Sequence, residues 1–266
     1  MTLPLDAAPV VLIEGIPFAA LRMKEVVNWI IRRHTQGHGG WVVTPNIDIL
    51  RRLVTEPSFR ALVSSESTLF TADGAPIVWL SHLLGTPLPE RVTGADIFVE
   101  LMSEAALNGK SVYLLGGNPG VAEVAASILQ EKFPALCVAG CYAPPFGFES
   151  DAEEMAKISQ FLIATRPDII FVGLGSPKQE QLIATLRKLL PNSWWLGIGV
   201  SFSFVAGDVH RAPNWMRKIG LEWFYRVLQE PKRLFKRYFL VGIPFALGLF
   251  ARNFVRRIGV TSKKLK

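Results

Sequence analysis

The apolar residues of this chain switch repeatedly between a period of two and a period near 3.6, and this alternation constrains its fold most strongly. The clearest unit comprises a strand at 111–115, a glycine-rich loop at 116–120 and a helix at 121–132. Further strands are predicted at 10–13, 41–43, 68–70, 136–139, 169–173 and 194–198, and further helices at 19–33, 47–53, 75–84, 95–107, 152–165 and 179–190. Strands that alternate with helices predict an α/β fold with a doubly wound, mostly parallel, Rossmann-like sheet.

The end of the chain differs from the rest in charge and in pattern. Residues 211–266 contain 14 Lys and Arg but 2 Asp and Glu, whereas the net charge of the whole chain is only +7. The first 210 residues are therefore mildly acidic, and no strand pattern follows residue 207. We predict an α/β catalytic domain over residues 1–207 and a basic, amphipathic, α-helical membrane-binding appendage over residues 208–266.

An uncharged apolar stretch at 238–251 lies between two basic clusters of this appendage. It is shorter than the roughly 20 residues that span a bilayer, and it fits a helix lying in the membrane interface. Basic residues on both sides favour anionic lipid, whereas an arm that binds nucleic acid does not need such an apolar run. Residues 232–257 are therefore predicted to bind an anionic membrane surface and not nucleic acid. A buried helix or a contact in a homo-oligomer is the alternative.

The number and spacing of the cysteines and histidines limit the kinds of catalytic or metal site that the chain can form. The two cysteines, Cys137 and Cys141, are too few for a disulfide scaffold, and the four histidines are scattered. Neither residue type shows the spacing of a metal site, and no catalytic triad is readable. We expect no metal and no cofactor, and we expect the chain to lie in the cytosol.

The loops after the strands are the candidate ligand sites, because ligands of open α/β sheets bind at the carboxyl ends of the strands. Gly116 and Gly117 open a loop that could hold a diphosphate against the next helix, or could form only a tight turn. Their G-G-x-x-G spacing and the lack of an acidic residue after the next strand count against NAD.

Polar residues in the other loops have two interpretations each. Asp73, in Ala72-Asp73-Gly74, is either a general base or the N-cap of the following helix. Thr44 and Asn46 are either caps or hydrogen-bonding partners of a ligand. Ser176 is a plausible N-cap, but capping does not explain Lys178 and Gln179, which follow it where an anionic or sugar ligand could touch them.

The appendage supplies arginines. On a continuous helix, Glu222, Arg226, Glu230, Arg233 and Arg237 would share one sector, although Pro231 is expected to interrupt it. The set forms either a solvated, salt-bridged face or a clamp of planar guanidinium groups on a diphosphate.

Together these motifs resemble the WecG/TagA/CpsF glycosyltransferase family, from about residue 13 to residue 238. The matching pieces are Thr44-Pro45-Asn46, Ala72-Asp73-Gly74, Glu90-Arg91-Val92-Thr93-Gly94-Ala95-Asp96, Gly173-Leu174-Gly175-Ser176-Pro177-Lys178-Gln179-Glu180, Arg211-Ala212-Pro213, Gly220-Leu221-Glu222-Trp223, Tyr225-Arg226 and Glu230-Pro231. Each piece is short, but their number, order and spacing make the resemblance specific.

The resemblance implies a bacterial, metal-independent, inverting glycosyltransferase. Such an enzyme moves a sugar from a UDP-sugar donor to a polyprenyl-diphosphate-linked saccharide acceptor, as a peripheral protein at the cytoplasmic face of the inner membrane. Asp73 matches the family's general base, and Thr44 and Gln179 match residues that line its active site. Arg226 and Arg233 match arginines that act on the leaving UDP. A further arginine position of this set matches Arg237 or Lys236, and Arg211 is another expected substrate-binding residue.

One position departs from the family pattern. Ser203 stands where many members have Asp. On this ground we expect a member that serves extracellular polysaccharide synthesis with UDP-glucose, and UDP-N-acetylmannosamine or its uronic acid is the other donor class. Two different functions remain open: a dinucleotide-dependent oxidoreductase built on the Gly116 loop, and a non-catalytic membrane adaptor.

Overall fold

Eight strands form one sheet in the structure, a computed structural model that describes residues 8–264, with the backbone alone at 256 and 258–264. The strands are β1 Val10–Ile13, β2 Ile16–Ala19, β3 Gly40–Val43, β4 Thr68–Phe70, β5 Ser111–Gly116, β6 Cys137–Tyr142, β7 Ile169–Gly173 and β8 Trp194–Gly197. Their order is β1-β2-β4-β3-β8-β7-β5-β6, and every pair is parallel except the hairpin of β1 and β2. The predicted α/β class with a mostly parallel sheet is confirmed.

Helices cover both faces of the sheet. They are α1 Met23–Thr35, α2 Ile47–Thr55, α3 Pro57–Val63, α4 Ala75–Leu84, α5 Gly94–Leu107, α6 Val121–Lys132, α7 Ala152–Thr165, α8 Lys178–Leu186, α9 Ser201–Ala206, α10 Asn214–Lys218, α11 Glu222–Gln229, α12 Pro231–Phe235 and α13 Ile243–Lys264. A 3₁₀ turn occupies Phe148–Ser150, and a π-helical segment occupies Lys236–Gly242.

Alternation along the strands divides the core into two layers. In β5, Val112 and Leu114 pack with α1, α5 and α6 on one face, whereas Tyr113 and Leu115 pack with α2, α7 and α8 on the other. Both faces of the sheet are thus buried, which explains why its strands read as continuous apolar runs. Each large side chain buried there contributes about 1.5–3 kcal/mol.

The first part of the chain departs from the sequence prediction. The helix predicted from residue 19 begins at Met23, because Ala19 still pairs with Val10 in the β1–β2 hairpin. The tight turn of this hairpin places Glu14 and Gly15 at positive φ. The short elements β2 and α3 were not predicted at all.

The region after residue 207, here the C-terminal segment 208–264, returns to the sheet. Its helix breaks between α11 and α12 at Pro231, as predicted, because proline has no N–H to continue the helix. The π-helical segment then packs against α2, and α13 packs against α4. The proposed domain boundary at 207/208 remains a prediction.

The helical run Pro231–Val255 is long and apolar enough to cross a membrane by length and composition, and 17% of its most apolar window is buried. It includes the uncharged stretch 238–251 identified in the sequence. The exposed apolar side chains Leu247 and Phe254 are seven residues apart in α13 and therefore lie on one side of that helix, and Leu240 is exposed in the π-helical segment before it. This exposure distinguishes the run from the core helix of a soluble protein.

Candidate active site

A cleft of about 1080 Å³ opens at the carboxyl ends of the central strands and is bounded on its other side by the C-terminal segment. The predicted site residues that line it are Thr44, Asn46, Asp73, Gly117, Lys178, Gln179, Arg211, Arg226, Arg233 and Arg237. Gly116 does not line it. This glycine ends β5 at φ +102°, and a Cβ there would lie 2.9 Å from the Leu174 side chain, so its smallness serves packing.

Asp73 follows β4 and does not cap α4, whose N-cap is Gly74. Its Oδ2 instead accepts a hydrogen bond of 3.2 Å from the backbone N–H of Gly94, the first residue of α5. Burial raises the pKa of Asp73 from 3.8 to about 6, although the neighbouring Arg91 and the Gly94 hydrogen bond act in the opposite direction. A carboxyl group with this pKa is suited to accept a proton near neutral pH.

A network of ion pairs joins the Asp73 loop to the C-terminal segment. Arg91 donates from Nη1 to Glu222 over 3.3 Å and, more weakly, to the backbone oxygen of Asp73 over 3.5 Å. Arg211 pairs with Glu222 at 3.0 Å and with Asp96 at 2.5 Å. The pairing with Arg211 helps to lower the pKa of Asp96. Arg211 is thus held by two carboxylates while it lines the cleft.

Gln179 fastens two glycine loops at the floor of the cleft. Its Oε1 accepts hydrogen bonds from the backbone N–H groups of Gly175 and Gly199, at 3.2 and 3.1 Å. Its Nε2 donates to Glu180 over 2.9 Å. Burial raises the pKa of Glu180. Gly197 leaves room for this amide, since a Cβ there would lie 2.6 Å from Gln179 Nε2.

The start of α8 differs from the capping prediction. Pro177 occupies the N-cap position and Ser176 makes no cap hydrogen bond. Lys178 forms an ion pair with Glu149, and its Nζ lies 4.8 Å from the ring centre of Phe146. Phe146 lines the cleft and is fully exposed, so it presents an aromatic face to a ligand. Sequence reasoning missed this residue, although the turn residues around it mark a loop.

Thr44 and Asn46 lie on the wall beside Asp73. Asn46 caps α2, because its Oδ1 accepts hydrogen bonds from the N–H groups of Asp48 and Ile49, and it also lines the cleft. Thr44 is buried and caps nothing; its Oγ1 lies 3.1 Å from where a Cβ on Gly94 would be. Ser203, the position that departs from the family pattern, lies in α9 and also lines the cleft.

The arginines of the C-terminal segment converge on the cleft although their helix is broken. Glu230 pairs with Arg233 at 2.6 Å and with Arg226 at 4.0 Å. Arg237 is bound to the buried Asp48 at 2.9 Å, so it fastens the π-helical segment to α2. Arg226 contacts Glu230 only at 4.0 Å and the Arg233 side chain is 62% exposed, so these two arginines have the greater freedom to bind an anion.

The described residues 8–264 contain no group of three or more His, Cys, Asp and Glu side chains that could hold a metal ion. The polar groups that line the cleft include one carboxyl group of raised pKa, an amide clamp and several guanidinium groups. Fold and cleft thus define a Rossmann-like α/β enzyme whose site is completed by a basic helical segment.

Comparison with known proteins identifies the family. The sequence model of the glycosyl transferase WecG/TagA/CpsF family matches residues 11–259, and the chain belongs to this family. It is therefore a glycosyltransferase of the hexosyltransferase type, as the sequence resemblance predicted.

Three similar proteins share the name N-acetylglucosaminyldiphosphoundecaprenol N-acetyl-beta-D-mannosaminyltransferase. The protein of Bacillus subtilis (strain 168) is 31% identical over 222 residues, which cover 83% of this chain and 84% of the relative. That of Bacillus spizizenii (strain ATCC 23059 / NRRL B-14472 / W23) is 35% identical over 199 residues, or 74% of each chain. That of Staphylococcus aureus (strain MW2) is 32% identical over 226 residues, or 85% of this chain and 82% of the relative. These names do not support the UDP-glucose donor expected from Ser203.

Proposed function

We propose that this enzyme transfers an N-acetylmannosaminyl group from a UDP-linked donor to a saccharide on polyprenyl diphosphate. The names of the relatives supply the sugar and the lipid-linked acceptor. The observation that carries the proposal is the position of Asp73, a carboxyl group with a pKa of about 6, in the same cleft as Arg226 and Arg233.

In the proposed reaction, Asp73 accepts the proton of an acceptor hydroxyl group as its oxygen attacks the anomeric carbon of the donor. The bond between that carbon and the diphosphate oxygen breaks, and its electron pair leaves with UDP. A single displacement of this kind inverts the anomeric centre, so an α-linked donor gives a β-linked product. That outcome agrees with the β-linkage in the names of the relatives.

The arginines act on the leaving group. Negative charge accumulates on the diphosphate in the transition state, and guanidinium groups that line the cleft stabilise it. Arg226 and Arg233 can exchange their contact with Glu230 for the diphosphate. Gln179 and Gly117 shape the floor on which the donor lies.

The surface of the C-terminal segment supports a location of the cleft at the membrane. Exposed apolar side chains at 240, 247 and 254 lie on the same segment as Arg226 and Arg233, and basic residues flank them. A surface of this kind binds an anionic bilayer from one side. We propose that the enzyme binds the cytoplasmic face of the bacterial membrane peripherally, where a lipid-linked acceptor is presented.

The test is UDP release from a panel of UDP-sugars, with and without a polyprenyl-diphosphate-linked N-acetylglucosamine acceptor. We expect acceptor-dependent release with UDP-N-acetylmannosamine, little release with UDP-glucose, and a loss of about 10²–10⁴-fold in Asp73→Asn. Asp151→Asn is the matched control, since Asp151 caps α7 outside the cleft and Asn caps equally well.

Other outcomes would point elsewhere. Release of UDP from UDP-glucose alone would overturn the proposed donor sugar. Undiminished turnover in Asp73→Asn would overturn the assignment of Asp73 as the general base. Tight binding of a nicotinamide dinucleotide would favour the oxidoreductase, and membrane binding without any UDP binding would favour the adaptor.

A further inference from the structure

Among the described residues 8–264, Glu222 is the one residue of the C-terminal segment that hydrogen-bonds to both Arg91 and Arg211. Its Oε2 accepts from Nη1 and Nη2 of Arg91, at 3.3 and 3.4 Å, and its Oε1 accepts from Nε of Arg211 at 3.0 Å. Its side chain is only 13% exposed. One carboxylate therefore neutralises two guanidinium groups that reach it from different parts of the chain.

Arg91 is held between the catalytic core and the C-terminal segment. Its Nη1 contacts the backbone oxygen of Asp73, and its Nη2 donates to the backbone oxygen of Arg217 over 3.2 Å. Neither nitrogen is within hydrogen-bond distance of the Asp73 carboxylate, whose contact is the N–H of Gly94. The guanidinium thus lies beside the base but is turned toward Glu222.

The other groups around the base are already satisfied or neutral. The charged or titratable side chains that act on Asp73 are Arg91 before α5, Asp96 in α5, Glu222 in α11 and Tyr238 in the π-helical segment. Asp96 is paired with Arg211, and burial raises the pKa of Tyr238, which keeps its phenol neutral. Beyond the effect of burial, the charge that acts on the base therefore depends on Arg91 and on the Glu222 carboxylate that holds it.

We infer that Glu222 is a positioning residue, which docks the C-terminal segment on the catalytic core and keeps the Arg91 guanidinium from pairing with the Asp73 carboxylate. The inference rests on the proposed role of Asp73 as the base. Since α11 also carries Arg226, one turn after Glu222, the same contact sets the arginine that faces the leaving group. The docking of the C-terminal segment is thereby coupled to keeping the Asp73 carboxylate free of an ion pair with Arg91.

Removal of this carboxylate has a defined electrostatic consequence. Without Glu222, Arg91 loses its anionic partner, and the Asp73 carboxylate, on which its charge already acts, becomes an alternative partner. Both the lost negative charge and the new pairing favour the ionised form of Asp73. The pKa of the base then falls, and a weaker base accepts the acceptor proton less effectively.

The test measures the titration of Asp73 directly, by ¹³C NMR of carboxyl-labelled aspartate in the full chain, with Asp73→Asn to assign the signal. We expect the pKa of about 6 to fall by about one pH unit in Glu222→Gln and to rise in Arg91→Gln. Glu154→Gln is the matched control, because Glu154 pairs with Lys157 outside the cleft, and it leaves the titration unchanged.

Activity provides the second readout. The acid limb of UDP release is expected to move to lower pH in Glu222→Gln, whereas a purely structural defect lowers turnover without moving that limb. An unchanged or higher Asp73 pKa in Glu222→Gln would overturn the inference. If that variant does not fold, an unchanged pKa in Arg91→Gln overturns it equally. Titration shifts of the expected sign together with full turnover of Asp73→Asn would refute the proposed base, not the positioning role.

Discussion

The backbone N–H of Gly94 donates to Oδ2 of Asp73 over 3.2 Å, which fixes the candidate base at the N-terminus of α5. Two opposing effects act on this carboxyl group. The helix N-terminus and Arg91 favour its ionised form, but burial outweighs them and raises its pKa to about 6. The carboxylate is therefore oriented by a hydrogen bond and still basic enough to take a proton.

The pH dependence of turnover follows from this pKa. A general base acts only when ionised, so kcat/KM for UDP release should rise with pH through a midpoint near 6 and level off above it. Initial rates at donor and acceptor concentrations below their KM values, between pH 4.5 and 8.5, check this. A midpoint near 4, the ordinary value of an exposed aspartate, would show that burial does not tune the base.

Stability should respond to the same group in the opposite sense. Because the folded-state pKa of about 6 lies above 3.8, the stability that Asp73 contributes is full below about pH 4 and is lost as the pH rises through 6. Asp73→Asn should lack this loss, with a gain in unfolding free energy of at most about 3 kcal/mol at pH 7.5.

Urea unfolding at pH 4.5 and at pH 7.5 measures this difference. The gain of the variant over the wild type should be larger at pH 7.5, while Asp151→Asn should show no such pH-dependent gain. If Asp73→Asn is less stable than the wild type at pH 7.5, this contradicts the expectation that the buried, ionised Asp73 lowers the stability of the fold.

The sheet and the positions of the candidate site could be predicted for a common reason. Buried parallel strands produce apolar runs with clear ends, and their carboxyl ends meet at one edge, so the sequence alone was enough to place Thr44, Asp73 and Gln179 together. Hairpin strand β2 was missed because four residues carry too little periodicity.

The ion pairs of the site could not be predicted from the sequence. Arg91 and Glu222 are 131 residues apart in the chain, and only the folded C-terminal segment brings them together. Gly116 was predicted either to hold a diphosphate or to form only a tight turn, because glycine suits both. Its positive φ agrees with the turn, and its closeness to the Leu174 side chain is a property of packing that the sequence does not reveal.

The arginines should control donor affinity. We expect Arg226→Gln and Arg233→Gln each to weaken UDP binding by about tenfold or more, because each removes a charge-assisted contact with the diphosphate. Isothermal titration measures this, with Arg252→Gln as a control of equal charge change outside the cleft. Equal UDP affinities in the wild type and all three variants would show that Arg226 and Arg233 do not bind the nucleotide.

Arg237 is expected to behave differently from those two. Since Asp48 holds it at 2.9 Å, Arg237→Gln should first loosen the π-helical segment from α2. Faster proteolysis or amide exchange of residues 236–242, with a smaller loss of UDP affinity than in Arg226→Gln, is the expected pattern. A loss of UDP affinity without loosening would place this guanidinium on the ligand instead.

Membrane binding should depend on the apolar side of the C-terminal segment. Leu240 and Leu247 are 63% and 65% exposed, and burying each in lipid is worth about 2 kcal/mol. Leu240→Asp and Leu247→Asp should each reduce binding to phosphatidylglycerol vesicles by more than tenfold in flotation assays and leave UDP binding intact. Val124→Asp, on the exposed side of α6, is the control. Undiminished flotation of both leucine variants would exclude this surface.

The smallest informative change is at Gly197, on the floor of the cleft. This glycine has an ordinary backbone conformation, so alanine is sterically allowed for the chain itself, but the added Cβ would lie 2.6 Å from Gln179 Nε2. The buried amide must move and release the N–H groups of Gly175 and Gly199, at a cost of about 1–3 kcal/mol. We expect Gly197→Ala to fold, to lose most UDP release and to keep its vesicle binding.

Gly248→Ala, where a Cβ meets nothing within 4 Å, is the matched substitution and should leave UDP release unchanged. Full turnover in Gly197→Ala would mean that the Gln179 clamp is not needed for catalysis.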